Sequence, residues 1–292
     1  MGIIIGVLEQ GLIYGVMALG IYITYKILDF PDLTVDGSFP MGAAVTAALL
    51  TKGVNPYLAL LVSFLAGAVA GICTGLIHVK LKVRDLLSGI IMMTALYSIN
   101  LRITGKANVP IFSNETVLEN SVVNSVFAKI PVFQNLIVAL IIALVVKFLL
   151  DAYLKTKSGY LLRAVGDNEN LVTSLAKDQG RVKIIGLAIA NAMVALGGSV
   201  MCQQQRFFEV SMGTGTMVIG LASVIIGTNI FKNTKIKPTT AVLIGSIIYK
   251  GCVAFAIWRG LKATDMKLIT SALFLIIIVV TMDRKRKVKG NA

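Results

Sequence analysis

Residues 57–79 read YLALLVSFLAGAVAGICTGLIHV, a run of 23 positions with no Asp, Glu, Lys or Arg. A segment of that length and composition spans the hydrocarbon of a bilayer as an α-helix, which needs about 20 apolar residues. Within it Gly67, Gly71 and Gly75 recur every fourth position. One face of this helix therefore admits another backbone at short range. Gly11 and Gly15 repeat the device nearer the N-terminus. The first reading of both faces is packing within the chain, and the second is a seam between two copies.

The rest of the chain resembles this stretch. Hydrophobic residues make up 56% of the 292 positions and charged ones 14%, with a mean hydropathy of +0.83. Globular chains carry about 25% charged residues. The composition excludes a disordered protein and a disulfide scaffold, and argues against a soluble enzyme. The fold class is an all-α polytopic membrane protein with about eight to ten helices at this length. Nine apolar segments are read, at about 3–28, 38–50, 57–79, 86–103, 132–152, 184–203, 214–231, 239–258 and 264–282. Residues 1–292 thus form a single transmembrane domain. Segments 38–50 and 214–231 are short, and a broken or re-entrant element is tolerated where protein or a cavity surrounds it. The N-terminus has no basic leader and no cleavage pattern, so the first span is expected to be retained.

The net charge of +14 is explained by topology rather than by nucleic acid. With Lys26 at the end of the first span, loops 29–37, 80–85, 153–183, 232–238 and the tail 283–292 on one side, that side holds 18 basic residues and the other eight. Basic loops face the cytoplasm, which puts the C-terminus there. Nine crossings then place the N-terminus outside; if 38–50 dips in and returns, it lies inside.

Most chemistry is missing. Gly105-Lys106 has Asn100 and Ala107 where a phosphate-binding loop needs glycine and a hydroxyl, so ATP is not held in that way. One histidine, His78, excludes a His-built metal site, and no catalytic residue is named. Cys73, Cys202 and Cys252 sit in apolar runs as packing residues. Glu9 and Asp151 lie near span ends, and Lys147 and Lys250 alone fall within spans. An ion-coupled carrier keeps ionisable groups inside its bundle, so the chain reads as a pathway energised elsewhere.

Two segments carry the functional reading. In 153–183, Asp167 and Gly180 frame a helix of about ten residues as N-cap and C′ glycine, with Leu171 and Leu175 on one face. Tyr160, Leu161, Leu162 and Val165 add apolar surface, which points to a partner or to the membrane face. In 29–42, DFPDLTVDGSFPMG, two prolines and two glycines are expected to break a helix at membrane depth. Asp36, Ser38 and Phe39 are the candidates for contact with a solute, Asp36 facing an ammonium group. The other reading is an interfacial turn with its aspartates in water. The loop 104–131, with Pro110, Asn114, Glu115, Glu119, Asn120 and Lys129, is either a docking surface outside or a lid packed on its own bundle.

The run 156–200, TKSGYLLRAVGDNENLVTSLAKDQGRVKIIGLAIANAMVALGGSV, resembles the cytoplasmic loop and following span of the branched-chain amino acid and ribose permeases of ABC importers. Thr156, Lys157, Gly159, Arg163, Ala164, Gly166, Asn168, Gly180, Lys183, Ala195, Gly197 and Gly198 occupy the places of that pattern. Residues 11–44 and 212–231 resemble its first spans and its Gly-rich span. LDFPDLTVDGSF at 28–39 departs from many members and is similar to a subgroup paired with a distinct binding lipoprotein, some linked to aromatic amino acids. The resemblance implies a multi-pass bacterial cell-membrane permease. Two copies would form one pathway, two ABC ATPase subunits would hold ATP and Mg, and a solute-binding lipoprotein would deliver the cargo. The helix after Asp167 would couple to the ATPase through Arg163, Ala164, Gly166, Asp167, Asn168, Leu171 and Leu175. Apart from these and membrane lipid no partner or cofactor is implied. The competing readings are a secondary transporter and a non-conducting assembly subunit, with a sugar or nucleoside as the alternative solute.

Overall fold

The computed structural model describes residues 2–127, 131–167, 178–260 and 265–289. The described residues are overwhelmingly helical, with eleven α-helices. Helix α1, Gly2–Ile21, continues as a π-helical stretch, Tyr22–Ile27. Then follow α2, Val35–Leu50, α3, Pro56–Leu81, and α4, Asp85–Thr104. A two-stranded ladder pairs β1, Asn108–Pro110, with β2, Phe207–Glu209, antiparallel, Val109 opposite Phe208. Between the strands lie the short α5, Ser121–Val126, then α6, Gln134–Tyr153, α7, Lys157–Asp167, and α8, Gln179–Gln205. The chain closes with α9, Thr216–Ile230, α10, Pro238–Trp258, and α11, Met266–Lys289.

Seven helical stretches among the described residues are long and apolar enough to cross a membrane. Helix α2 and residues 267–279 are shorter apolar helices. The all-α polytopic expectation is met. Helix ends follow local chemistry. The Asn55 side chain accepts the Tyr57 N–H at 2.9 Å ahead of Pro56, which gives α3 a side-chain N-cap and a proline in its first turn. Asp178 caps α8 by accepting the Arg181 N–H at 3.2 Å.

Helix α8 is the central post, with most of its residues buried. It packs on α1, α2, α3 and α7. The glycine faces work inside the chain, as their first reading had it. A Cβ on Gly75 would lie 2.9 Å from the Ile184 backbone, and one on Gly67 or Gly71 would overlap backbone oxygens of α8. Gly11 meets α10 in the same manner, 2.8 Å from Ile247 Cα, and the Ser246 hydroxyl donates to its carbonyl at 2.7 Å. Small residues at such crossings permit the close van der Waals contact that holds helices together in lipid.

The two ends of the bundle are distinct. At one end Gly166 rests on the Ile27 carbonyl, Gly180 on Val79, and Lys237 lies 3.5 Å from Asp151. At the other, Asn114 donates to the Leu50 carbonyl at 2.7 Å, Gln203 accepts the Val117 N–H at 2.7 Å, and Arg206 pairs with Glu119. Loops 80–85 and 232–238 and the described residues of 153–183 thus share an end, and the described residues of loop 104–131 lie opposite.

Three sequence expectations are corrected. Helix α2 runs without a break through Pro40. The interruption comes earlier, at 28–34, where Asp29 takes a left-handed φ of 52°. Pro40 is the sixth helical residue, so its missing N–H deprives the Asp36 carbonyl alone, and that carbonyl faces Gly213. Residues 157–167 form a helix, with Leu162 and Val165 fully buried against the bundle while Tyr160 stays exposed. Their apolar surface is therefore partly spent internally. Asp167 is the last residue of that helix, and Gly180 belongs to the first turn of α8, which begins after Asp178 rather than near 184. The expected helix at 168–177, with Asn168, Leu171 and Leu175, lies outside the described residues, as does Lys129.

Loop 104–131 is packed on its own bundle where it is described. Ile111, Val117 and Leu118 are buried, and Asn120 caps α5 by accepting the Val123 N–H at 2.9 Å. Phe112 remains 69% exposed.

Candidate functional site

The interruption at 28–34 follows the end of the first helix and packs on α3, α4 and α8. A chain that leaves helical geometry there must supply its own hydrogen-bond partners, because lipid offers none. Residues 30–38 supply them. Phe30 N–H donates to the Thr24 carbonyl at 2.9 Å and Thr34 N–H to Asp32 Oδ1 at 2.9 Å. The other carboxylate oxygen, Oδ2, accepts from Asn191 Nδ2 of α8 at 2.7 Å. The Ser38 hydroxyl is shared between the Thr34 carbonyl, at 2.8 Å, and Asn191 Oδ1. Thr34 and Thr74 join hydroxyls at 2.8 Å, which ties the segment to α3. Asp32, Thr34, Ser38, Thr74 and Asn191 are all fully buried. A second rung lies about two to three turns further along: Thr46 bonds Ser63 at 2.9 Å and also Ser199. Together these rungs fasten α2, α3 and α8.

Asp36 does different work. Its Oδ1 accepts the Met217 N–H at 2.8 Å and the Thr216 hydroxyl at 3.0 Å, and its Oδ2 accepts the Gly215 N–H at 3.0 Å. It is the N-cap of α9 supplied from another helix, where a negative charge is favoured by the helix dipole. Of the three aspartates, Asp29 is exposed, Asp32 is buried and Asp36 is half-buried at this cap. Phe39 is fully buried and stacks on Tyr14, ring centroids 5.9 Å apart. Ser38 and Phe39 are thus interior groups in this conformation.

Beside Asp36 a cavity of about 400 Å³ opens, walled by Gly37, Pro40, Met93, Tyr97, Ser98 and Asn100 among others. Its polar wall lies on α4, which the sequence reading passed over. Asn100 is fully buried and donates from Nδ2 to the Gly37 carbonyl at 3.2 Å. A larger groove of about 560 Å³ runs between α3 and α6. Apart from Tyr57 and Tyr153 its walls are aliphatic or carry Phe64 and Met193, and both phenol oxygens are engaged, with Asn120 at 3.2 Å and Ser158 at 3.0 Å. That groove offers a hydrophilic solute nothing to orient it.

Of the residues expected to couple to an ATPase, Arg163, Ala164, Gly166 and Asp167 fall on α7. Arg163 and Asp167 are exposed, and Ala164 and Gly166 are half-buried. A Cβ on Gly166 would overlap the Ile27 carbonyl oxygen, and one on Gly186 would lie 2.7 Å from Leu28 Cδ1. Helix α7 therefore bears directly on the end of the first helix, just before the interruption. The ionisable pair Lys147 and Asp151 lies at 3.2 Å one turn apart, with Thr239 donating to Asp151 at 2.6 Å and Lys237 also on its carboxylate. Asn191, Asp32 and Asn100 escaped the sequence reading. Their one sequence signal is a lone amide or acid inside an apolar stretch.

These features define a polytopic helical membrane protein with a polar-lined interior. Residues 3–282 match the family described as the branched-chain amino acid transport system / permease component, and the chain belongs to that family. It is 47% identical over 273 residues to the "Tyrosine transport system permease protein" of Clostridioides difficile, covering 93% of this chain and 89% of that one. It is 28% identical to the "Probable branched-chain amino acid transport permease protein LivH" of Methanocaldococcus jannaschii, over 73% and 70% of the two chains. It is 24% identical to the "Ribose import permease protein RbsC" of Haemophilus influenzae, over 77% and 68%.

Proposed function

We propose that this chain is the membrane-spanning permease of an ABC importer that takes up an amino acid, an aromatic one first among them. In this reading two copies enclose one pathway, two ATPase subunits bind ATP and Mg beneath them, and a solute-binding lipoprotein delivers cargo at the 104–131 end. The C-terminus and α7 lie in the cytoplasm, where basic residues concentrate. The observation that carries the reading is the seating of α7. Its outer side, with Tyr160 and Arg163 exposed, is free for an ATPase. Its inner side touches the Ile27 carbonyl through Gly166. A displacement of the loop is thereby handed to the segment whose buried acid and amide organise α2 and α8. The amino-acid cargo is supported by the high identity to a permease named for tyrosine transport.

The test is reconstitution of the permease with its ATPase and lipoprotein in liposomes, followed by uptake of radiolabelled L-tyrosine, L-phenylalanine and L-leucine. Uptake that requires ATP inside and loaded lipoprotein outside is expected. Uptake without ATP would establish a secondary transporter. Lipoprotein-stimulated hydrolysis with no uptake of any of the three would overturn the amino-acid assignment.

A further inference from the structure

The cavity walled by α2 and α4 contains a chemical imbalance. Asn100 Oδ1 is buried and has no hydrogen-bond partner among the described residues. The orientation of the amide is fixed, because its Nδ2 donates to the Gly37 carbonyl and a flip would set two oxygens face to face. A buried acceptor without a donor costs on the order of 1–3 kcal/mol, and such groups need an explanation in a well-packed bundle. The neighbouring wall adds one charged acceptor to the hydroxyls of Tyr97, Ser98 and Thr214. Asp36 is its carboxylate, and no lysine or arginine lines it. Thr94 is already committed, donating to the Ile90 carbonyl at 2.8 Å. Tyr97, half exposed, and Met93 provide a flat and a deformable apolar surface beside these acceptors. The site lies in the half of the bundle nearer loop 104–131, since Asn100 is one turn from the end of α4.

We infer that this cavity is a way-station of the transported solute, in which Asn100 Oδ1 accepts a hydrogen bond from the solute's ammonium group while Tyr97 and Met93 cover its side chain. The proposal rests on the amino-acid reading above and adds the residues that meet the cargo. The missing donor is then supplied by each passing molecule. The negative charge of Asp36, although spent on the cap of α9, biases the same wall towards a cation and against a solute that is only anionic. One hydrogen bond and an aromatic face hold weakly, which suits a station that must release what it receives.

The assembled importer in liposomes tests this with the three amino acids as probes. In Asn100→Leu, uptake is expected to fall at least tenfold, the worth of one bond to a charged group in a dry site, while lipoprotein-stimulated ATP hydrolysis stays within about twofold. Asn100→Asp, which keeps an acceptor for the solute but sets an oxygen against the Gly37 carbonyl, is expected to retain more uptake than Asn100→Leu. Unchanged uptake in Asn100→Leu overturns the proposal. In a variant freed of Cys73, Cys202 and Cys252, Ser98→Cys is expected to react with a small thiol reagent more slowly during solute turnover than during idle ATP hydrolysis. Equal rates, or complete shielding in both states by a second copy, overturn it even where Asn100→Leu fails to fold. Native importer that moves none of the three amino acids refutes the reading of the cargo, and this proposal with it. Native uptake that Asn100→Leu leaves intact refutes this proposal alone.

Discussion

Replacing Asp36 by alanine separates two roles for one carboxylate. In the structure it accepts the backbone N–H groups of Gly215 and Met217 at 3.0 and 2.8 Å and the Thr216 hydroxyl at 3.0 Å. The hydroxyl keeps a second acceptor, the Gly213 carbonyl at 2.9 Å, so its loss is small. The two N–H groups have no such reserve. Each buried donor left unpaired costs about 1–3 kcal/mol. Water from the adjoining cavity softens the penalty, and about 2–3 kcal/mol is the reasoned total, near the upper range for loss of an N-cap. Asp36→Asn keeps one oxygen for Met217 but turns its amide towards the Gly215 N–H, so about half that loss is expected. For a chain of this size the alanine variant should unfold about 5–10 °C lower. The assay is thermal unfolding of the detergent-purified permease, followed by fluorescence, with no solute present. A solute ligand would behave oppositely: stability unchanged and transport lost. An Asp36→Ala protein that melts at the native temperature while failing in uptake would refute the capping argument.

Further outcomes follow from named contacts. Gly166→Val forces side-chain carbon into the Ile27 carbonyl, and overpacking of this kind costs about 1–3 kcal/mol, read as a lower melting temperature and reduced membrane yield. Arg163→Glu, or Leu171→Asp with Leu175→Asp, is expected to leave the protein inserted but to abolish uptake while the ATPases continue to hydrolyse ATP; full uptake would remove the coupling role. Asp151→Asn breaks the 3.2 Å pair with Lys147 and should destabilise by about 3 kcal/mol through the unpaired buried cation, whereas Lys147→Met with Asp151→Leu should recover part of that loss. Phe112→Asp, at an exposed tip of the 104–131 loop, is expected to raise the lipoprotein concentration needed for half-maximal ATPase stimulation at least fivefold, measured by titration.

Much of this architecture is written in the composition because lipid simplifies the rules. A run such as 57–79 has one stable state in hydrocarbon, and glycines at four-residue spacing announce a tight crossing. Sequence shows that Gly67, Gly71 and Gly75 share a face, but not that the face meets α8. That partner is set by three-dimensional complementarity, which periodicity does not encode. The interruption was legible within 29–42 and falls in its first half, around Pro31, whereas Pro40 sits inside α2 where one missing N–H can be tolerated. Helix α7 was hidden for a related reason: its apolar residues resemble an exposed patch until Leu162 and Val165 are seen to be buried. The candidate pathway was half visible. Asp36 stood out as an acid near a span, but its role as the cap of a helix 180 residues later depends on contacts across the fold. Asn100 is an amide in an apolar helix, given no role by the sequence until a cavity gives it a setting.

The polar residues of 28–38 answer to one requirement, and it explains why this segment is so unlike its neighbours. Leaving the helix at Leu28 frees donors and acceptors at a depth where water is scarce, and each would cost more than a hydrogen bond returns elsewhere. Leu28 N–H returns to the Ile23 carbonyl at 2.9 Å through the π-helical turn. Asp32 closes the Thr34 N–H and is itself held by Asn191. Ser38 covers the Thr34 carbonyl, and Asp36 repeats the service for α9. The same groups that make the interruption tolerable therefore cross-link α2, α8 and α9. Removing Asn191 would strand a buried carboxylate, whereas removing a leucine nearby would leave a small void. That ordering can be measured. Asn191→Leu should cost more stability than Leu187→Ala, even though the first keeps the branched side-chain shape and the second removes it. The expected gap is at least about 1 kcal/mol, from about 3–5 kcal/mol for an uncompensated buried charge against about 2–4 for a truncated leucine. Equal losses would mean that Asp32 is carried there without its charge, and that packing rather than polar satisfaction holds the interrupted helix.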